Sequence, residues 1–167
     1  CAGLTPEQAA VWSYPMRDGD EEETVFNMVN AMLLRIHQSG HLAQLSSERR
    51  ALVKEGIDYY KSIRGYIKEA VPVWPDGMAD SSDKWLSAAI RTETKAFLAV
   101  WRRGGSETEH GLDIGKIFPD AEGRSVKLVH PNNSLKENAA YTQNRNWLTV
   151  HYEKPVMARI FEITAEN

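Results

Sequence analysis

Residues 21 to 67 constrain the fold more than any other part of the chain. Val25, Met28, Val29, Met32, Leu33 and Ile36 recur at steps of three and four, the spacing that puts apolar side chains on one face of an α-helix. Glu21, Glu22 and Glu23 load the first turn with negative charge, where the helix dipole favours it. His37 falls in the last turn, and Gly40 in HQSGH supplies the stop. A second helix is expected at once: Ser46 or Ser47 caps it, and Leu52, Val53, Gly56, Ile57, Tyr60, Ile63 and Ile67 continue the stripe. The spacing therefore predicts a helical hairpin whose long apolar face must rest on something larger than itself. As an autonomous module it would expose that stripe, far more apolar surface than a monomer tolerates. An aggregation-prone or partly folded chain is the expectation, with the hairpin less protected than the rest.

Beyond residue 70 the period changes. Pro72 and Pro75 end helix formation, and GMADSSD is loop-like. Segments 85–90, 95–103, 125–130, 146–152 and 156–163 then alternate with period two and are rich in β-branched and aromatic residues. DIGKIF, 113–118, is a weaker sixth strand, and EKP is short enough for a hairpin. Six short strands predict an antiparallel sandwich. Residues 1–15 read as a short buried strand followed by a loop, with Trp12 and Tyr14 packing beneath a helix; lining a binding mouth is the alternative. A strand and helices ahead of a sandwich fit the last unit of a (β/α)8 barrel with an appended domain. Residues 5–15 would form a loop at the C-terminal end of a barrel strand, where such barrels build their sites. The fold class is α+β: the last strand and helical hairpin of a (β/α)8 barrel in 1–72, a linker in 73–84, and an antiparallel β-sandwich in 85–167.

Composition excludes several functions. A net charge of −3 over 167 residues argues against a phosphate-binding surface, so no nucleic acid is expected. No apolar run approaches the roughly 20 residues of a membrane-spanning helix, so no membrane partner is expected either. Cys1 is the only cysteine, and the five histidines are scattered, so no metal and no cofactor is expected. A chain opening on Cys1 reads as the cut end of a longer protein; an acylated terminus would lead into a polar linker, whereas Leu4, Ala9, Ala10, Val11 and Trp12 are apolar. No G-x-S-x-G segment or phosphate loop appears. Glu21, Glu22 and Glu23 are consecutive and point in different directions, so they form no catalytic carboxylate pair. Trp85, Trp101 and Trp147 read as core residues, with stacking on sugar rings as the alternative.

Several segments resemble, in order, the C-terminal part of glycoside hydrolase family 36 α-galactosidases: PEQAAVWSYP (6–15), ETVFNMVNAMLLRIHQSGHLAQLS (23–46), ERRALVKEGIDYYKSIR (48–64), VPVWPDG (71–77) and AVWRRGG (99–105). From 105 to 167 the resemblance rests on position and strand pattern. It implies an enzyme built from an N-terminal β-supersandwich, a central (β/α)8 barrel and a C-terminal β-domain. Such an enzyme hydrolyses terminal α-galactosyl residues of raffinose-type sugars with retention, using two aspartates and no metal. The K-x-D and C-x-x-G motifs that carry those aspartates are absent, so the resemblance implies no catalytic residue here and inactivity of this chain alone. Pro6, Glu7 and Gln8 match the family's eighth-strand loop, which makes Glu7, Gln8 and Trp12 the candidate substrate-binding residues. Asp76 stands where the family carries Leu, a departure at the domain junction. An α-galactoside substrate, a homo-oligomer and a cytoplasmic location follow as expectations for the complete enzyme. A stand-alone carbohydrate-binding or structural β-sandwich domain is the alternative.

Overall fold

A computed structural model describes residues 3–166, so Cys1 and the reading built on it lie outside the described residues. The chain opens with a short parallel unit: β1 (Ala10–Ser13), α1 (Glu21–Met32), β2 (Arg35–Gln38) and α2 (Ser47–Ile67). Eight further strands follow: β3 (Val71–Val73), β4 (Trp85–Arg91), β5 (Lys95–Arg102), β6 (Glu109–Asp113), β7 (Gly123–His130), β8 (Ala139–Asn144), β9 (Trp147–Tyr152) and β10 (Met157–Glu166).

The expected helical hairpin is corrected to a β–α–β–α unit. Helix α1 starts where predicted: Asp20 caps it, its Oδ1 accepting from Glu23 N at 2.8 Å. It ends at Met32, however, and Arg35–Gln38 pairs in parallel with β1, Ala10 opposite Arg35 and Ser13 opposite Gln38. Ile36 lies four residues after Met32 and two after Leu34, so it satisfies the helical and the extended period together. The main-chain partner decides between them: Arg35 N donates to Ala9 O at 3.1 Å, a bond that local sequence does not encode. His37 therefore sits in a strand. Gly40, with φ 91°, serves the loop after β2, where an added Cβ would stand 2.6 Å from Pro15 O.

The strands expected at 85–90, 95–103, 125–130, 146–152 and 156–163 are present as β4, β5, β7, β9 and β10. They form two antiparallel sheets, ordered β3-β4-β5-β10-β7 and β6-β9-β8. Two details of the sequence reading change. DIGKIF is not a strand: β6 ends at Asp113, whose side chain accepts from Gly115 N at 3.0 Å and turns the chain into a 3-10 segment, Ile114–Lys116. EKP is not a hairpin, because β9 and β10 belong to different sheets and the segment crosses between them. The tight hairpin lies instead between β8 and β9, turning through Arg145 at φ 53°.

The elements stack in three layers: helices, five-stranded sheet, three-stranded sheet. Central strands β5 and β10 are buried on both faces, with Phe97, Ala99 and Ile160 toward the helices and Leu98, Val100 and Phe161 toward the smaller sheet. Val25, Met28, Val29 and Met32 are each wholly buried, and Ile63 and Ile67 nearly so. The stripe that an isolated hairpin would expose is thus covered by the chain's own sheet, which removes the physical ground for expecting aggregation. Helix α1 is further stapled to β10: Arg159, buried in mid-strand, donates from Nη1 and Nη2 to both Glu22 carboxylate oxygens at 2.8 and 2.9 Å. Asn138 Nδ2 adds a third bond to Glu22 at 2.9 Å.

Candidate functional site

The parallel pair β1–β2 is covered on one side only. Val11, Ser13, Ile36 and Gln38 turn toward the helices; Ser13 is fully buried, its Oγ donating to Met28 Sδ at 3.1 Å. The opposite face carries Trp12, 63 % exposed, with the His37 ring set edge-on at 6.0 Å. Beyond the strand ends Tyr14 and His41 repeat the pairing at 6.0 Å. For Trp12 and Tyr14 the packing reading is therefore replaced: both rings face outward, because they sit on the side of the sheet away from α1.

The two loops that leave the C-terminal ends of these strands are fastened to each other. Ser39 N donates to Ser13 O at 2.9 Å, His41 N to Pro15 O at 3.1 Å, and Arg17 N to His41 Nδ1 at 3.3 Å, which leaves the His41 proton on Nε2. Arg49 of α2, almost fully buried, holds the first loop from beneath. It donates to Met16 O at 2.7 Å, Arg17 O at 3.0 Å, Thr24 Oγ1 at 2.7 Å and Glu23 Oε2 at 2.8 Å. Burial pushes the Glu23 carboxyl above its ordinary value, against the opposing pull of the Met16 N–H and the Arg49 charge. Gly19 leaves the room this needs, since an added Cβ would lie 2.3 Å from a Glu23 oxygen. The result is a hydrogen-bonded rim that presents aromatic and imidazole rings, which offer flat apolar faces for stacking and ring N–H donors.

The structure separates the three sequence-derived residues. Trp12 lies on the open face. Glu7 and Gln8 belong to a 3-10 turn, Pro6–Gln8, that precedes β1, at the strand end opposite the rim. Glu7 Oε1 accepts from Thr5 Oγ1 at 2.6 Å. Sequence reasoning missed Tyr14, His37 and His41 as a group; the alternation in LRIHQ was the available signal, but the helical stripe absorbed it. Of the other tryptophans, Trp85 and Trp101 are partly buried against the cores, whereas Trp147 is 51 % exposed and covers Gly111. Among the described residues no cluster of three or more His, Cys, Asp or Glu side chains could hold a metal ion.

A second cluster lies at the junction. Asp76 Oδ2 accepts from Ser87 Oγ at 2.7 Å and stands 3.0 Å from His110 Nε2, while the His110 ring stacks on Trp85 at 5.2 Å. Ser, His and Asp meet here in the wrong order for nucleophilic catalysis, because the carboxylate, not the imidazole, touches the hydroxyl. Its role is structural, and it accounts for an aspartate at a position the sequence comparison marked as a departure. Burial pushes the Asp76 carboxyl up, but bonds from His110 and Ser87 and the His110 and Lys116 charges outweigh it, so the net shift is downward. A carboxyl whose folded pKa lies below the unfolded one stabilises fully above about pH 4 and loses that contribution as pH falls through the folded value. Asp76→Asn is expected to cost about 1 kcal/mol at neutral pH and to flatten the acid limb of a Tm–pH profile. An unchanged acid limb would show that the cluster carries no linkage.

Solved structures share this fold. The galactosidase domain of alpha-galactosidase-sucrose kinase, AgaSK, superposes with TM-score 0.58 at 17 % identity, over 83 % of this chain and 19 % of that one. The GH36 alpha-galactosidase AgaA from Geobacillus stearothermophilus gives TM-score 0.55 in a variant complexed with raffinose and 0.56 in one complexed with 1-deoxygalactonojirimycin, both at 10 % identity. Each covers 83 % of this chain and 19 % of the other, so the chain spans about a fifth of the proteins it matches. No family model and no curated protein matches the sequence.

Proposed function

We propose that this chain is the C-terminal part of a GH36 α-galactosidase, with β1–α1–β2–α2 as the last two strand–helix units of its (β/α)8 barrel and the sheets as its C-terminal β-domain. The single observation that supports this most is the half-covered parallel pair. Parallel strands are stable with both faces covered, and in a barrel the uncovered face of β1–β2 turns inward while the loops after it form the mouth. The reading allots two strands to the barrel where the sequence suggested one. It takes Trp12 and His37 to the barrel lining and Tyr14 and His41 to the rim of a pocket for a terminal α-galactosyl residue of raffinose-type sugars. Glu7 and Gln8 then lie at the far end of the strand. The complete enzyme is a retaining hydrolase whose two carboxyl groups, nucleophile and acid/base, come from outside this chain. The 167-residue chain alone is inactive, and the complete protein is a cytoplasmic homo-oligomer.

The test pairs two measurements: turnover of p-nitrophenyl α-galactoside by the chain and by the protein purified from its source, and the intact mass and N-terminal sequence of the latter. The expected result is no turnover by the chain, and an active native protein several times longer with K-x-D and C-x-x-G segments. Turnover by the chain alone would overturn the assignment of the chemistry. A native protein that begins at Cys1 and binds galactosides without cleaving them would replace it with the stand-alone carbohydrate-binding domain.

A further inference from the structure

The open face of β1–β2 carries its rings in two tiers. The inner tier, Trp12 with His37, belongs to the strands themselves, at opposed positions of the parallel register. The outer tier, Tyr14 with His41, lies beyond both strand ends and repeats the edge-on contact at 6.0 Å. Trp12 and Tyr14 are two residues apart, and two residues of extended chain span about 7 Å, a step on the scale of one sugar ring. Both rings stay open, Trp12 at 63 % and Tyr14 at 43 % exposure.

The outer tier is fixed before any ligand arrives. His41 N donates to Pro15 O and Arg17 N to His41 Nδ1, which sets the imidazole in place between the two loops. Arg49 holds the first loop from α2 through Met16 O and Arg17 O. The donor left to the imidazole, Nε2–H, and the Tyr14 hydroxyl have no protein partner among the described residues. Rings held in this way lose little freedom on binding, so their contacts translate into affinity.

We propose that Tyr14 and His41 form the subsite for the leaving-group sugar, the residue bonded to the terminal α-galactosyl unit, and so set specificity for it. This rests on the barrel reading given under the proposed function. An enzyme that removes a terminal unit takes that unit deepest. The bond to be cut then lies above it, and the rest of the substrate leaves through the mouth. In a barrel the inner tier lies within the strands and the outer tier at the mouth. The inner rings therefore meet the galactosyl unit, and the outer rings meet the sugar beyond the bond. Their chemistry fits a neutral pyranose. Tyr14 offers a flat face to the apolar side of the ring, while His41 Nε2–H donates to a hydroxyl and Tyr14 Oη both donates and accepts. Arg17 and Asp18, the charged side chains that follow, pair with each other at 3.2 Å, which suits an uncharged ligand.

Two substrates test it on the complete protein: raffinose, and α-galactosyl fluoride, which has the same galactosyl ring but no leaving-group sugar. Tyr14→Ala should lower kcat/KM for raffinose about tenfold more than for the fluoride. His41→Ala should shift the ratio the same way, and Tyr14→Trp, which keeps a flat ring, should hold it near that of the unmodified protein. Trp12→Ala should lower both substrates alike. The fluoride reports on folding and on the galactosyl site within each variant, so a misfolded variant is not mistaken for a lost subsite. Equal losses on both substrates for Tyr14→Ala, or no loss on raffinose, would overturn the subsite while leaving the barrel reading intact. An unmodified protein that cleaves neither substrate would overturn the barrel reading, and the subsite with it.

Discussion

Glu22→Ala is expected to destabilise the protein by about 3–5 kcal/mol, measured as a fall in the urea midpoint at unchanged slope. Arg159 is fully buried in β10, in the central sheet, and among the described residues Glu22 is its only ionic partner. Without that carboxylate the guanidinium keeps only the carbonyls of Ala158 and Leu135, at 2.9 and 2.8 Å, and the face of Tyr152 at 5.7 Å. An uncompensated charge in that position costs far more than the pair contributes when intact. The double variant Glu22→Leu with Arg159→Met should therefore recover most of the loss, because a desolvated pair and well-packed apolar side chains of similar volume are nearly equivalent. A single variant that loses under 1 kcal/mol would mean that water reaches the pair, and that it does not hold α1 to the sheet.

Phe97→Ala should cost a similar 3–5 kcal/mol, and its kind of unfolding matters as much as its size. Phe97 points from β5 into the core shared with the helices, 5.5 Å from the Tyr66 ring. Helices and sheet bury the same side chains, so loosening either exposes both. The expected transition is single, with far-ultraviolet circular dichroism and tryptophan fluorescence coinciding. Amides of α1 should then exchange through the same global opening as those of β5 and β10. Separate transitions would show that residues 21–67 are an independent unit, as the change of sequence period at Pro72 suggests when read alone.

How much was legible follows the range of the forces. Helix starts are local: Asp20 and Ser46 cap the helices that the apolar stripe announces; the first helix was expected to start at Glu21 and the second at a Ser46 or Ser47 cap. Buried strands are nearly as local, since VMARIFEI and KAFLAVWRR are too apolar and β-branched to lie elsewhere than in a sheet interior. Strands β2, β3 and β8 were not legible. Arg35–Gln38 fits both periods, Val71–Val73 contains a proline, and Ala139–Asn144 is polar and exposed. Each is a strand only because another strand lies beside it.

The same division holds for the site. Residue types told of aromatic and polar groups near the start of the chain, and Trp12 was singled out with Glu7 and Gln8. That Trp12 shares a face with His37, while the other two precede the strand, depends on the parallel register of β1 and β2. Arg159 is the clearest case. In the sequence it interrupts an apolar run; in the fold it finds Glu22, distant in the chain, at the first turn of α1. Sequence alone determined what local free energy determines: where helices begin, which stretches must be buried, and which chemistries lack their residues. Tertiary structure decided which strands pair, which face of β1–β2 stays open, and which buried charge meets its counter-ion. Hydrogen-bond ladders and ion pairs join residues far apart in the chain, and their partners exist only once the layers have stacked.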